Sequence, residues 1–344
     1  DRAVELDPED LDAQFGLAVA YRKTAQLDAA RELFDKIGKR DPQFAGLALE
    51  RGQLLEAQGQ FEKAVESYRV AHDKDPSDVG LNLRLGAALV EAGRLEEAEM
   101  TLQTVMKEMP NSAEAEYFTG RLALARGRGP DALTHFDRAL SLDNSQAVYH
   151  LYAARAALDM ANLGRTLEEA DAALNRDGSL GDAYWVRGIV RARSGAVRDA
   201  LKDARRALEL NPSRFDAYAL MAECFDELRQ LKEAARAYHT ALDKDPKRGE
   251  WWYKLGRLSL DMGARGEAND ALDKAMALGD KMDPRPWWLP DAYRLAGDMA
   301  RGSGNRKAAV TLFLRYLEIA PDGALDRDDV RKLLRSWDVD MSRP

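Results

Sequence analysis

The chain has 344 residues, 45% of them hydrophobic and 32% charged, which is enough apolar content to bury a continuous core. Its 51 basic and 59 acidic residues leave a formal charge of -8, so there is no basic field for nucleic acid or anionic lipid, and neither is expected as a partner. The apolar runs fall far short of the ~20 residues that cross a bilayer, so no membrane insertion is expected. The single cysteine, Cys224, excludes an internal disulfide and agrees with a reducing, cytoplasmic compartment.

Residues 1–10 carry Asp1-Arg-Ala-Val-Glu-Leu-Asp-Pro8, which matches Arg205-Arg-Ala-Leu-Glu-Leu-Asn-Pro212 much further on. They read as the tail of a preceding, truncated repeat, and the sequence as a piece of a longer protein. From there the period is explicit: Pro8, Pro42, Pro76 and Pro110 lie 34 residues apart, and Asn144, Gly178, Pro212, Pro246 and Asp280 continue the lattice. The step from Asp280 to Pro321 is 41, so seven extra residues fall between the eighth and ninth periods.

Within each period, counted from Leu11, the eighth position holds Ala18, Gly52, Gly86, Gly120, Ala154, Gly188, Ala222, Gly256 and, past the insertion, Gly297. The twentieth holds alanine in every period except the fifth, where it is Thr166. The twenty-fourth is mostly large, as in Phe34, Tyr68, Leu102, Phe136, Tyr238, Leu272 and Phe313. Small residues at two registered places let helix axes approach closely while the bulky residue fills a groove, which is the pattern of two antiparallel helices per period. Turn signals such as Glu91-Ala-Gly-Arg94 separate the two helices. The closing Asp-Pro, Asn-Pro or Met-Pro ends the second, because proline disfavours helix at the residue before it. The fifth period is the degenerate one, and no strand pattern competes.

This spacing and residue code resembles the tetratricopeptide repeat (TPR) family over nearly all of residues 1–323. The resemblance implies an all-α, right-handed superhelical solenoid of nine helix-turn-helix repeats, the first helix of each lining a concave groove. Repeats one to eight are expected over residues 11–282, a Pro/Trp-rich insertion over 283–289 and repeat nine over 290–323. A capping helix and tail follow over 324–344, with Asp326 as N-cap and Val330, Leu333, Leu334 and Trp337 as the apolar face.

No residue constellation points to catalysis, a metal or a cofactor. His72, His135, His150 and His239 fall in different repeats with no second ligand at zinc spacing, Gly127-Arg-Gly129 reads as an interhelical turn, and Cys224 has no histidine in register. The chain is expected not to be an enzyme.

The resemblance places positions 2, 5, 9 and 12, with 6 and 13 beside them, on the groove wall. In repeats four to six these give Tyr117, Phe118, Arg121, Leu124, Leu151, Tyr152, Arg155, Leu158, Trp185, Val186, Ile189 and Arg193, a composition typical of interface hot spots. The alternative is that Leu151, Val186 and Ile189 pack between neighbouring first helices. Arg121 and Arg155 share one register position, as does Arg257, and read as guanidinium forks for carboxylates of a bound segment. Farther on the wall changes sign, with Asp216, Glu223, Asp226 and Glu227 followed by Tyr253, Lys254 and Arg257. One of Trp287 and Trp288 is expected to plug the gap that the insertion opens, and the other to offer a second docking point.

The function expected from the resemblance is a protein–protein interaction scaffold or adaptor that takes a peptide or folded partner along the groove. The alternative is a regulatory or targeting arm of a larger protein. Chaperone C-terminal tails are disfavoured, because Phe15 and Val19, Leu49 and Gln53, and Leu83 and Ala87 stand where the family's carboxylate clamp has Lys and Asn. The Arg-, Ala- and Leu-rich composition reads as bacterial. By analogy with bacterial members of the family, small Ras-like GTPases or pilus, secretion or motility components are the expected partners.

Overall fold

The computed structural model describes Asp7 and residues 9–339; most of the expected leading tail, and residues 340–344 of the closing one, lie outside them. Two compact units divide the chain, Asp1–Gly178 and Ser179–Pro344. The described residues form nineteen α-helices and no strand. In the first unit these are α1 (Leu11–Lys23), α2 (Leu27–Arg40), α3 (Leu47–Ala57), α4 (Phe61–His72), α5 (Val79–Glu91), α6 (Leu95–Glu108), α7 (Ala113–Ala125), α8 (Gly129–Leu142), α9 (Ala147–Asp159) and α10 (Leu163–Arg176). In the second they are α11 (Gly181–Arg193), α12 (Val197–Leu210), α13 (Asp216–Glu227), α14 (Leu231–Lys244), α15 (Gly249–Asp261), α16 (Arg265–Gly279), α17 (Leu289–Gly302), α18 (Arg306–Ile319) and α19 (Arg327–Ser336). Odd helices pack on the even helices that follow them, and within each unit the even helices pack on the next odd ones.

Local chemistry explains the boundaries. Asp10, Asp78 and Ser112 accept backbone N–H bonds at the starts of α1, α5 and α7. Asp41, Asp143 and Asp177 leave the helix in extended backbone, the first of them directly before Pro42. The interhelical turns pass through the left-handed region at one registered place, occupied by Gly59, Gly93, Gly127, Gly195, Gly263 and Gly304, and by Ala25, Ala161 and Arg229 at φ 58°, 55° and 57°.

The small-residue code lies in the core. Every residue at the twentieth position, from Ala30 to Ala309 and including Thr166, is fully buried. A β-carbon built on Gly120 would stand 2.6 Å from the Phe136 ring, one on Gly297 2.6 Å from Phe313, and one on Gly256 2.8 Å from Leu272. The bulky residue of each such repeat therefore lies directly over the small one of the same repeat, and each interhelical contact closes locally.

The fifth repeat departs from the code in chemistry rather than in architecture. Ala170 replaces the ring, and the buried Glu169 carboxylate meets His150 Nδ1 at 2.7 Å and Arg165 at 3.1 Å. The fourth repeat carries the same pair exchanged, with the fully buried Glu116 on α7 meeting His135 at 2.7 Å and Arg138 at 2.8 Å on α8.

At the break in spacing, α16 ends at Gly279 and α17 begins at Leu289, a residue expected inside the insertion. Leu289 is fully buried, and a β-carbon on Gly279 would lie 2.7 Å from it, so packing draws it into the helix. In the last helix Val330 and Leu334 join Phe313 and Tyr316 in one cluster. Asp326 makes no capping bond; its carboxylate turns instead to Arg294, 3.1 Å away.

Candidate partner-binding grooves

The expected site residues fall in both units, and each set takes a distinct form. In Asp1–Gly178, α7 and α9 present Tyr117, Phe118, Arg121, Leu124, Tyr152, Arg155 and Leu158. Tyr117 is only 6% exposed; it stacks on Tyr149 at 4.8 Å and meets Phe118 and Tyr152 edge-on at 4.9 and 5.4 Å. Phe118, Leu124, Tyr152 and Leu158 are half-buried, and Leu151 is buried. The Arg121 guanidinium lies over the Tyr152 ring at 4.5 Å and is ion-paired with Glu91 one repeat earlier. It is thus already held, whereas Arg155 has only the Tyr152 ring at 4.9 Å and no carboxylate among the described residues.

In Ser179–Pro344 the first helices enclose open space. One cleft of about 520 Å³ is lined by Trp185, Ile189, Ala192 and Arg193 of α11, Asp216, Ala219, Leu220 and Glu223 of α13, and Arg248, Glu250, Trp251 and Lys254 near the start of α15. A second, of about 270 Å³, takes in Asp226, Glu227, Cys224, Tyr238, Tyr253, Arg257, Val197 and Trp287. Ala192, Arg193, Glu223 and Lys254 line both, so the two clefts run together. Val186, in contrast, is fully buried, as packing between first helices requires.

Sequence position alone does not single out Trp251, whose ring floors the first cleft with Arg248 stacked on it at 5.1 Å. It sits at position 3 of its repeat, outside the positions taken as groove-facing. The two adjacent tryptophans separate cleanly. Trp288 is 2% exposed, stacks on Tyr253 at 6.0 Å and leaves no room for a β-carbon at Gly249, so it is a packing residue and not a docking point. Trp287 is 70% exposed and stands edge-on to Tyr253 at 6.0 Å, at the mouth of the second cleft.

Charge in the groove is mostly compensated. Lys254 bridges Glu223 at 2.6 Å and Glu250 at 2.8 Å. Burial in the wall pushes Asp226 above the ordinary carboxylate range, Arg257 at 3.8 Å opposing the rise and Asp261 adding to it. The Tyr253 hydroxyl is raised to about 12 by burial and by its hydrogen bond to Asp291. Burial also pushes the Cys224 thiol up to about 12, which removes the thiolate needed of a nucleophile. The histidines are tied to neighbours: His72 to Asn82, His135 to Glu116, His150 to Glu169 and His239 to Glu267, each at 2.7 Å. Among the described residues no cluster of three or more His, Cys, Asp or Glu is placed to hold a metal ion, and no helix is long and apolar enough to cross a membrane.

These features meet a family match. The sequence fits the tetratricopeptide repeat over residues 1–51, 55–122 and 192–255, and the chain belongs to the tetratricopeptide repeat family. It is an all-α helical-repeat solenoid, built from a repeat that generally mediates protein–protein interactions and is typically non-catalytic. Among curated proteins it is 30% identical over 128 residues to the general transcriptional corepressor ssn6 of Schizosaccharomyces pombe, a match over 36% of this chain that spans 11% of that protein. Among solved structures it resembles a chain of the APC/C hetero-tetramer Cut9–Hcn1, with TM-score 0.69 and 15% identity over 94% of this chain and 63% of that one. It also resembles a monomeric mutant of IFIT1 with m7Gppp-AAAA, with TM-score 0.61 and 15% identity over 95% of this chain and 81% of that one. At these identities the two structures speak for the fold alone.

Proposed function

We propose that Ser179–Pro344 receives a polypeptide segment of a partner protein in the two joined clefts, and that the chain works as a scaffold or adaptor. The observation that carries this reading is the open groove itself: exposed or half-exposed Trp185, Ile189, Arg193, Glu227, Arg257 and Trp287 converge on space that no other part of this unit fills. A rigid wall of packed helices suits this task, since a bound segment orders only itself. The match to a stretch of a much longer corepressor supports the second reading, in which such a groove serves as the targeting arm of a larger protein.

The test uses the full chain and peptides selected on it from a displayed random library. Ala192 lines both clefts, so Ala192→Arg should fill their junction and weaken the selected peptides more than roughly tenfold with the melting temperature kept. Tryptophan emission should shift to the blue on binding, and the shift should shrink in Trp287→Phe, with Trp185 and Trp251 of the first cleft still reporting. Peptides that bind the plugged variant as tightly as the parent would defeat the reading.

A further inference from the structure

Opposite charges remain unspent at two matched places in the groove. Lys254 is consumed by Glu223 and Glu250, and Arg248 by Asp245 at 2.9 Å and Asp216 at 3.2 Å. Arg257 stands to Glu227 in the register that joins Arg121 to Glu91, yet it turns to Tyr253 and to Asp226 instead. This leaves Arg193 and Glu227, both exposed, both lining the second cleft and neither with an ion-pair partner among the described residues. They are the last residues of α11 and α13, which occupy equivalent places in consecutive first helices that touch one another.

We infer that the occupant of this groove is an extended peptide carrying a carboxylate side chain for Arg193 and, three residues away, a cationic side chain for Glu227. The inference rests on the proposed reading of the groove and adds the chemistry of its ligand. Packed helix axes lie about 8–10 Å apart, so equivalent positions on α11 and α13 are separated by about that distance. An extended polyproline II segment rises about 3.1 Å per residue and returns a side chain to the same face every third residue, after roughly 9 Å. The guanidinium offers a planar fork to a carboxylate and repels a cation, while Glu227 does the converse, so the pair fixes both the composition and the direction of the bound chain. Ala192 and Val197 line the same cleft and offer apolar surface to a side chain in the intervening turn.

The full chain, panned against displayed random dodecapeptides, should enrich sequences with an acid and a base three positions apart, in one order only. Arg193→Glu should remove the preference for the acid and weaken the selected peptides roughly three- to tenfold. Arg193→Glu combined with Glu227→Arg should select the same pair in the opposite order. Both side chains are exposed, so circular dichroism melts should be unchanged in either variant. Groove-binding peptides without the charge pair, or peptides indifferent to Arg193→Glu, would overturn the inference while leaving the groove's role standing. A library that yields nothing displaced by Ala192→Arg would defeat the role itself.

Discussion

In Asp1–Gly178 the aromatic first-helix wall closes on itself: Tyr117 is buried among Phe118, Tyr149 and Tyr152, and Arg121 is spent on Glu91 and a ring. In Ser179–Pro344 the same residue types stand apart around clefts of about 520 and 270 Å³, with Trp287 and Arg193 turned to solvent. Aromatic and arginine content is therefore a poor guide to an interface until the partners of each side chain are known. An arginine beside a tyrosine is held in the wall when a carboxylate one repeat away neutralises it, and keeps its charge free for another group when none does.

Truncation should separate the two walls most sharply. Tyr117→Ala removes a buried ring from a mutually packed cluster and should cost about 3–5 kcal/mol in denaturant unfolding, whereas Trp287→Ala should stay within about 0.5 kcal/mol. Trp288→Ala should behave like Tyr117→Ala and still bind peptide. A large loss at Trp287 or a negligible one at Tyr117 would erase the distinction.

A smaller contrast concerns the arginines. Arg121→Ala strands Glu91 in a half-buried place and forfeits the Tyr152 contact, so a loss of about 2–3 kcal/mol is expected. Arg155→Ala gives up one ring contact, and less than about 1 kcal/mol should follow. Equal losses in matched urea titrations would show that the Glu91 pair adds nothing.

The open wall also has a pH signature. The Asp226 carboxyl is raised by burial, so the folded state still holds its proton at a pH where the unfolded chain has lost it. Stability should then decline as pH rises from the ordinary carboxylate value through the raised one, and stay level above it. Asp226→Asn should accordingly be the more stable at neutral pH, a gain that vanishes below about pH 4. A gain that persists in acid would point to a cause other than the carboxylate.

The parts of this molecule that could be read from sequence are those whose contacts close within one repeat. Gly120 and Phe136 are sixteen positions apart on two joined helices, so spacing alone places one over the other. Many charges escape such reading because their partners lie in a neighbouring repeat. Arg22 with Glu50, Arg69 with Glu97 and Arg165 with Asp137 all pair at a separation of 28, and Arg121 with Glu91 at 30. At Arg257 that register would have named Glu227, whereas the side chain turns to Asp226, so spacing does not name the partner. Trp288 escaped for a related reason: the insertion shifts the register, and only its fit over Gly249 and Gly279 shows which of two adjacent rings turns inward.

The smallest effect tests whether the units differ in their walls alone. Ala161 in the first unit and Arg229 in the second hold the left-handed turn position that glycine holds in six other repeats. A side chain there costs about 1–2 kcal/mol, and glycine returns about 0.5–1 kcal/mol of that as backbone entropy, so Ala161→Gly and Arg229→Gly should each stabilise by roughly 0.5 kcal/mol. Gly127→Ala and Gly195→Ala, with nothing within 4 Å of the added carbon, should each lose roughly that amount for the same reason run backwards. Matching shifts in both units, read from thermal melts, would show that turns and helix pairs are equivalent throughout. The contrast between closed and open wall would then belong to the first-helix side chains, because the scaffold beneath them responds alike.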